Sequence, residues 1–295
     1  MTDSGEDLKN GRLVAGIDIG SSLAKIAVCG PDGNLSFILL DNCECQSVVN
    51  TVLDLNVDCC GVTGSGAIDF KQAMRSLGGR DGIRTPAVLC VNEFVSWGVG
   101  AKKLLLNSGC KDLGAAYLLG SVGTGTSIML INSFTITRVG GTALGGGTIL
   151  GLGKLLTRRR DFQEMCALAV KGRRSKVDLL LKDIYAPGQV GISGKATASN
   201  FGGWVRKDKE LPGEADIMAG IMGMVGENIS LIASNLLSLH RLNTVVYAGS
   251  TLRNNPFLSS VLLSSAKILG HRAIILEHGE FSGAAGAYQL ALHDF

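Results

Sequence analysis

The chain reads as an α/β protein of two duplicated lobes facing each other across a cleft, and three observations predict this. An opening of strand, Gly/Ser turn, strand, turn and strand over Leu13–Leu40 recurs over Ala116–Val139. After each opening, helical patterns alternate with short apolar runs, as in parallel sheets with crossover helices. Glycine makes up 41 of 295 residues, about twice the usual ~7%. It clusters between apolar runs, where backbone turns tightly or approaches a neighbour closely. A length of 295 residues agrees with two domains, which the pattern divides as residues 1–113 and 114–295.

In the first half, Leu13–Ile19, Leu23–Cys29 and Leu35–Leu40 read as consecutive antiparallel strands joined by Gly20-Ser21-Ser22 and Pro31-Asp32-Gly33. Ser47–Leu55 is helical, Val57–Val62 a buried strand, and Thr63-Gly64-Ser65-Gly66 a loop into a further helix. Ala87–Val91 is a strand and Glu93–Asn107 a helix. The second half opens with strands Ala116–Val122, Ser127–Asn132 and Phe134–Val139 around the turn Gly123-Thr124-Gly125-Thr126. Helices follow at Thr148–Leu156, Asp161–Val170 and Glu214–His240. Strand Thr244–Tyr247, helix Pro256–Leu269, strand Ala273–Leu276 and helix Gly283–Leu292 complete it. Each lobe thus contributes one glycine hairpin to the cleft.

Composition narrows the function. A net charge of +3 is too small to imply a polyanionic partner, and 5% aromatics argue against a nucleic-acid stacking surface. Eight basic residues between Lys154 and Lys176 face only Asp161 and Glu164; this run is either a solvated face or a rim for a phosphorylated ligand. The eight cysteines include no C-x-x-C pair, and all four histidines lie downstream of them, so zinc spacing is missing. The N-terminus MTDSGEDLKNGRL is acidic and unlike a signal peptide, and no run of 18 apolar residues occurs. The expectation is a cytoplasmic protein with reduced, mostly buried thiols and neither membrane nor nucleic-acid partners.

Asp18 ends an otherwise apolar strand just before the first turn. A carboxylate there either holds a hydrated Mg²⁺ near a nucleotide or accepts bonds from turn amides. Gly20-Ser21-Ser22 and Gly123-Thr124-Gly125-Thr126-Ser127 offer amides and hydroxyls to anionic oxygen, and Lys25 a point charge. Two such turns at equivalent places suggest a phosphate clamp. The glycine run Gly145–Gly153 opens a helix, whose N-terminus favours anions and whose bare backbone admits a nucleotide. Glu93, at a helix start, is either a general base or a capping carboxylate. Arg138 ends a strand before Gly140-Gly141, placed to bind a carboxylate bidentately or to pair with a structural acid. The Met-rich helix (Met218, Met222, Met224) reads as core or dimer face, and Tyr185 as packing.

These stretches resemble the type II (eukaryote-like) pantothenate kinases of the sugar kinase/heat-shock ATPase/actin superfamily. The resemblance rests on GIDIGSSLAKIAV (Gly16–Val28), TGSGA (Thr63–Ala67), Glu93-Phe94, GSVGTGTSI (Gly120–Ile128) and RVGGTALGGGTILGLGKLL (Arg138–Leu156). VDLLLKDIY, ATASNFG, VVYAGSTLRNN and EHGEFSGAAGA follow in order. It implies ribonuclease-H-like lobes of the actin-like ATPase fold and ATP-dependent phosphorylation of the 4′-hydroxyl of pantothenate, the first step of coenzyme A synthesis. By resemblance, Glu93 is the general base. Asp18, Ile19, Gly20, Ser21, Ser22, Leu23, Ala24 and Lys25 form the first phosphate loop, with Asp18 near Mg²⁺, and Thr124 belongs to the second. Gly146, Gly147, Thr148, Ile149, Leu150, Phe162 and Ser250 match nucleotide contacts, and Ser127 and Arg138 join Glu93 at pantothenate.

The first loop departs from the family's Gly-Gly-Thr by reading Gly20-Ser21-Ser22, and TGSGA replaces TGGGA. The resemblance also implies a homodimer and coenzyme A or its thioesters as inhibitors. Alternatives are an amino-sugar kinase of the same superfamily, an ATPase activator with a bridging iron–sulfur cluster, and a non-catalytic ATP-binding regulatory subunit. The activator needs paired second-lobe cysteines, whereas only Cys166 lies beyond Cys110. Survival of Asp18, Lys25 and Glu93 argues against the regulatory subunit.

Overall fold

The computed structural model describes residues 12–294 apart from 31–32, 42–43, 79–82, 111–112, 190, 192, 195 and 206–210. The acidic N-terminal stretch, Pro31 and Asp32 of the second turn, and Cys43 lie outside the described residues. Strands β1 (Val14–Ile19), β2 (Ala24–Cys29) and β3 (Leu35–Leu40) form the expected antiparallel meander. Helix α1 (Cys45–Asp54), strand β4 (Cys59–Thr63), helix α2 (Ala67–Leu77), strand β5 (Ala87–Cys90) and helix α3 (Glu93–Asn107) follow. Parallel pairing of β4 with β1 and of β5 with β4 completes a five-stranded sheet of order β3-β2-β1-β4-β5.

The second lobe repeats this plan. Its meander is β6 (Ala116–Val122), β7 (Thr126–Asn132) and β8 (Ile136–Thr142). Next come α4 (Gly146–Thr157), α5 (Phe162–Lys171), a small hairpin β9 (Leu179–Leu180) and β10 (Thr197–Ser199), α6 (Gly202–Val205) and α7 (Glu214–His240). Strand β11 (Thr244–Ala248), helix α8 (Pro256–Ile268), strand β12 (Arg272–Ile275) and helix α9 (Ser282–Asp294) close the chain. The order β12-β11-β6-β7-β8 is that of the first sheet read from the opposite edge, so the duplication holds strand by strand.

The lobes exchange their last helices. Ala284, Tyr288 and Ala291 of α9 are buried with Val14, Ala27 and Cys59 of the first sheet. Ala101, Leu104 and Leu105 of α3 are buried with Leu119, Met129, Ile131 and Val246 of the second. The two helices also cross at backbone contact: a Cβ on Gly100 would meet the Ser282 carbonyl, and one on Gly286 the Ser96 carbonyl. Only glycine allows that approach.

Beneath the second sheet lies α7. It has the length and mean hydropathy (1.4) of a membrane span, yet 67% of that stretch is buried inside the protein. Met218 and Met222 are fully buried in the second core, which assigns them to packing.

Sequence periodicity missed β9, β10 and α6, which are too short to carry a period. An ionic cluster ties this excursion to α7. Arg174 Nε donates to Asp178 Oδ2 at 2.8 Å and Arg174 Nη1 to Glu227 Oε1 at 2.8 Å, while Asn200 Nδ2 reaches Glu227 Oε2 at 3.2 Å. Part of the basic run is therefore structural: besides Arg174, Arg159 pairs with Glu164 and Glu214, and Lys176 with Asp216. Two expectations need correction. Tyr185 is 43% exposed, because it follows the surface turn Leu181–Asp183 instead of facing the core. The described cysteines are free, but only Cys59, Cys60 and Cys166 are buried, and Cys90 is exposed.

Candidate active site

Both glycine hairpins border one cavity of about 1130 Å³ between the lobes. Its floor is a cross-strand pair. The hairpin register sets Asp18 of β1 directly opposite Lys25 of β2, and Lys25 Nζ lies 3.4 Å from Asp18 Oδ2. Both residues are nearly buried, at 4% and 7% exposure. Burial raises the Asp18 pKa, and the Lys25 ammonium opposes that rise. A single long contact leaves this carboxylate electrostatically unsatisfied. Among the described residues no three His, Cys, Asp or Glu side chains cluster as metal ligands. One carboxylate beside two glycine hairpins rich in amides and hydroxyls is the donor set a mostly hydrated Mg²⁺ takes, so the residues fit that ion.

Glu93 stands in the first turn of α3, where Asn92 caps the helix by accepting from the Val95 amide at 3.2 Å. The Glu93 pKa is raised, first by burial and then by the nearby Asp18 charge, with Lys25 pulling the other way. A half-buried carboxylate with a raised pKa is suited to accept a proton. Across from it, β7 and β8 present Ser127 and Arg138. Arg138 Nε lies 3.4 Å from Ser127 Oγ, and the guanidinium sits 5.9 Å from the centre of the Phe94 ring. Phe94 meets Trp97 edge-on at 5.7 Å. Glu93 and Arg138 thus border the same end of the cavity with Trp97.

The second hairpin is braced from behind. The Gly123 carbonyl accepts from the Gly146 amide (2.8 Å) and from Thr251 Oγ1 (2.8 Å), and the Thr124 carbonyl accepts from the Gly147 amide (3.0 Å). The first amides of α4 are thereby engaged with carbonyls, so the glycine run contributes bare backbone to the wall where an anion-binding helix start was expected. Across the cleft, Ser21 Oγ and Thr124 Oγ1 lie 3.1 Å apart, joining the two hairpins.

Of the residues singled out from sequence, Asp18, Gly20, Ser21, Ser22, Leu23, Lys25, Glu93, Thr124, Ser127, Arg138, Gly146, Gly147, Leu150, Phe162 and Ser250 line this cavity. Four others do not. Ile19 and Ala24 are buried in the first core, and Ile149 in the second. The strand alternation that turns Asp18 into the cavity turns Ile19 away. The Thr148 hydroxyl accepts from the Gly145 amide and donates to the Ala143 carbonyl. Sequence reasoning missed Asp41, Trp97, Gln163, Thr251 and Arg253, which also line the wall. Trp97 was legible, since it stands one helical turn after Glu93 on the same face. Thr251 and Arg253 follow Ser250 within a quoted stretch, but their turn reaches Gly123 only through folding.

Duplicated lobes with paired glycine hairpins over a buried Asp–Lys pair define a protein of the actin-like ATPase fold. Solved structures agree on the fold. The activator of the 2-hydroxyisocaproyl-CoA dehydratase from Clostridium difficile, with bound ADPNP, aligns with a TM-score of 0.60 at 13% identity, over 96% of this chain and 95% of that one. A ROK family glucokinase from Streptomyces griseus, in complex with glucose and AMPPNP, aligns with a TM-score of 0.57 at 12% identity, over 95% and 99%. Sequence narrows the class further. The Fumble family model matches residues 103–290. A type II pantothenate kinase of Bacillus anthracis is 32% identical over 92% of this chain and 95% of its own length. One of Staphylococcus saprophyticus is 31% identical over 93% and 99%. The chain belongs to the Fumble family, the type II pantothenate kinases.

Proposed function

We propose that this protein transfers the γ-phosphoryl group of MgATP to the 4′-hydroxyl of pantothenate, the first step of coenzyme A biosynthesis. The observation that carries the reading is the convergence of Glu93 and Arg138 on one end of the cavity that both hairpins border. Arg138 binds the pantothenate carboxylate as a charge-assisted, bidentate contact, steadied by Ser127. Glu93 orients the 4′-hydroxyl and takes its proton as the phosphorus–oxygen bond forms. Lys25 and the hairpin amides balance charge on the transferring group, and ADP leaves with the β-phosphate oxygen. Asp18 would hold Mg²⁺, and that ion, when bound, would neutralise charge on the phosphates. Positioning and electrostatics therefore account for most of the rate.

In this reading residues 1–113 carry the first phosphate hairpin and the base, and residues 114–295 the second hairpin and the nucleotide wall. The enzyme is expected to act in the cytoplasm as a homodimer, with coenzyme A or its thioesters as inhibitors. Coupled ADP release from MgATP tests the function, with pantothenate, N-acetylglucosamine and no acceptor compared. Turnover dependent on pantothenate is expected. Turnover with the amino sugar alone, or with neither acceptor, overturns the reading.

A further inference from the structure

Among the described residues the cavity wall carries three cations, and two of them are engaged. Lys25 pairs with Asp18, and Arg138 contacts Ser127 and lies over Phe94. Arg253 lines the same wall and is only partly exposed. Among the described residues its guanidinium has neither an ion pair nor a hydrogen bond. Withdrawing an arginine from water without a partner costs free energy, so a group waiting to be met by a ligand is the economical account of its place.

Its neighbours indicate which part of the ligand. Arg253 directly follows the turn Ser250–Leu252, which the Thr251 hydroxyl ties to the Gly123 carbonyl. Leu150, Phe162 and the side-chain-free Gly146 and Gly147 belong to the same wall. The amides of Gly146 and Gly147 already donate to carbonyls, and Asp161 uses Oδ1 to cap α5 at 2.7 Å. Donors for phosphate are gathered instead at the two hairpins. What this part of the wall offers is an aromatic ring, a leucine, bare backbone and one planar cation beside the polar side chains of Asp161, Gln163 and Ser250, a set that suits a flat, uncharged, electron-rich ring with polar edges.

We propose that Arg253 is a nucleobase-binding residue, its guanidinium face packing on the purine of the nucleotide by a cation–π contact. The inference rests on the nucleotide reading of the cavity given above. It separates base recognition, at Arg253, from phosphate recognition at Lys25 and the hairpins.

Calorimetric titration of the wild type, Arg253→Ala and Arg253→Gln with ATP and ADP, and with adenosine by competition, tests it. Loss of a base contact weakens all three ligands by the same factor, about 10-fold, while the KM for pantothenate stays unchanged. Arg253→Gln, which keeps a polar side chain of similar length, is expected to show the same loss and guards against a folding defect in the alanine variant. Loss confined to ATP and ADP, with adenosine unaffected, assigns Arg253 to phosphate and overturns the proposal. So does unchanged affinity for all three ligands when the wild type binds them. A wild type that binds no adenine nucleotide overturns the nucleotide reading itself and this inference with it.

Discussion

Glu93 shows how one side chain is tuned by its surroundings. Burial and the Asp18 charge raise its pKa above the ordinary glutamate value, with Lys25 opposing, so the acid limb of kcat/KM is expected to shift upward from that value as well. Glu93→Gln keeps the shape and removes the base. Its kcat is expected to fall by about 10²–10⁴-fold with the dissociation constant for ATP unchanged; a kcat equal to wild type would reject Glu93 as the base. Stability carries the opposite sign. A folded-state pKa raised above the unfolded one favours folding below the unfolded value and loses that support as pH rises through the folded value. Melting at neutral pH is therefore expected to be higher for Glu93→Gln than for wild type, with the difference disappearing in acid. A variant no more stable than wild type at neutral pH would show that burial does not strain this carboxylate.

Helices α3 and α9 bind the lobes together, and glycine sets their separation. Gly286→Ala would place a methyl group on the Ser96 carbonyl oxygen, and backbone on both sides leaves nothing free to yield. The expected loss is about 3 kcal/mol or more, at the upper end of overpacking costs, read as a lowered urea midpoint at unchanged slope. Gly151→Ala is the control. It lies in α4 with nothing within 4 Å of the added Cβ, so helix propensity predicts a gain of roughly 0.5–1 kcal/mol. Equal effects at the two sites would remove the close-approach argument. The excursion around β9 and β10 is organised differently, by Arg174, Glu227 and Asp178.

The two hairpins come from different lobes and meet through Ser21 and Thr124, so under the proposed function phosphate binding belongs to the whole molecule. MgATP is expected to slow amide exchange in both hairpins together, around Gly20–Ser22 and Gly123–Thr126, and to raise the melting temperature. At a hundredfold excess over its dissociation constant, the ligand adds about 2.7 kcal/mol. Protection of one hairpin alone would mean that the nucleotide does not bridge the lobes. Because α9 leaves the second sheet to pack on the first, and α3 does the reverse, closing the cleft moves helices that each lobe shares with its partner.

Local chemistry was legible in the chain. A strand of fixed alternation ends in Asp18, a short hairpin sets Lys25 opposite, Asn92 caps the helix that starts at Glu93, and one opening pattern recurs in the second half. The first three are decided within about ten residues, by backbone sterics and apolar periodicity, and the fourth is the same local pattern met twice. The resemblance then supplied the substrate. What stayed hidden were contacts between distant residues. The turn at Thr251 reaches the Gly123 carbonyl, the α4 amides are taken by the second hairpin, Ile149 turns into the core, and Arg253 is left without a partner among the described residues. Side-chain direction at such places follows from how α9 and α3 cross the lobes and how the sheets are set against them. Those contacts are long-range, and no window of sequence contains both of their sides.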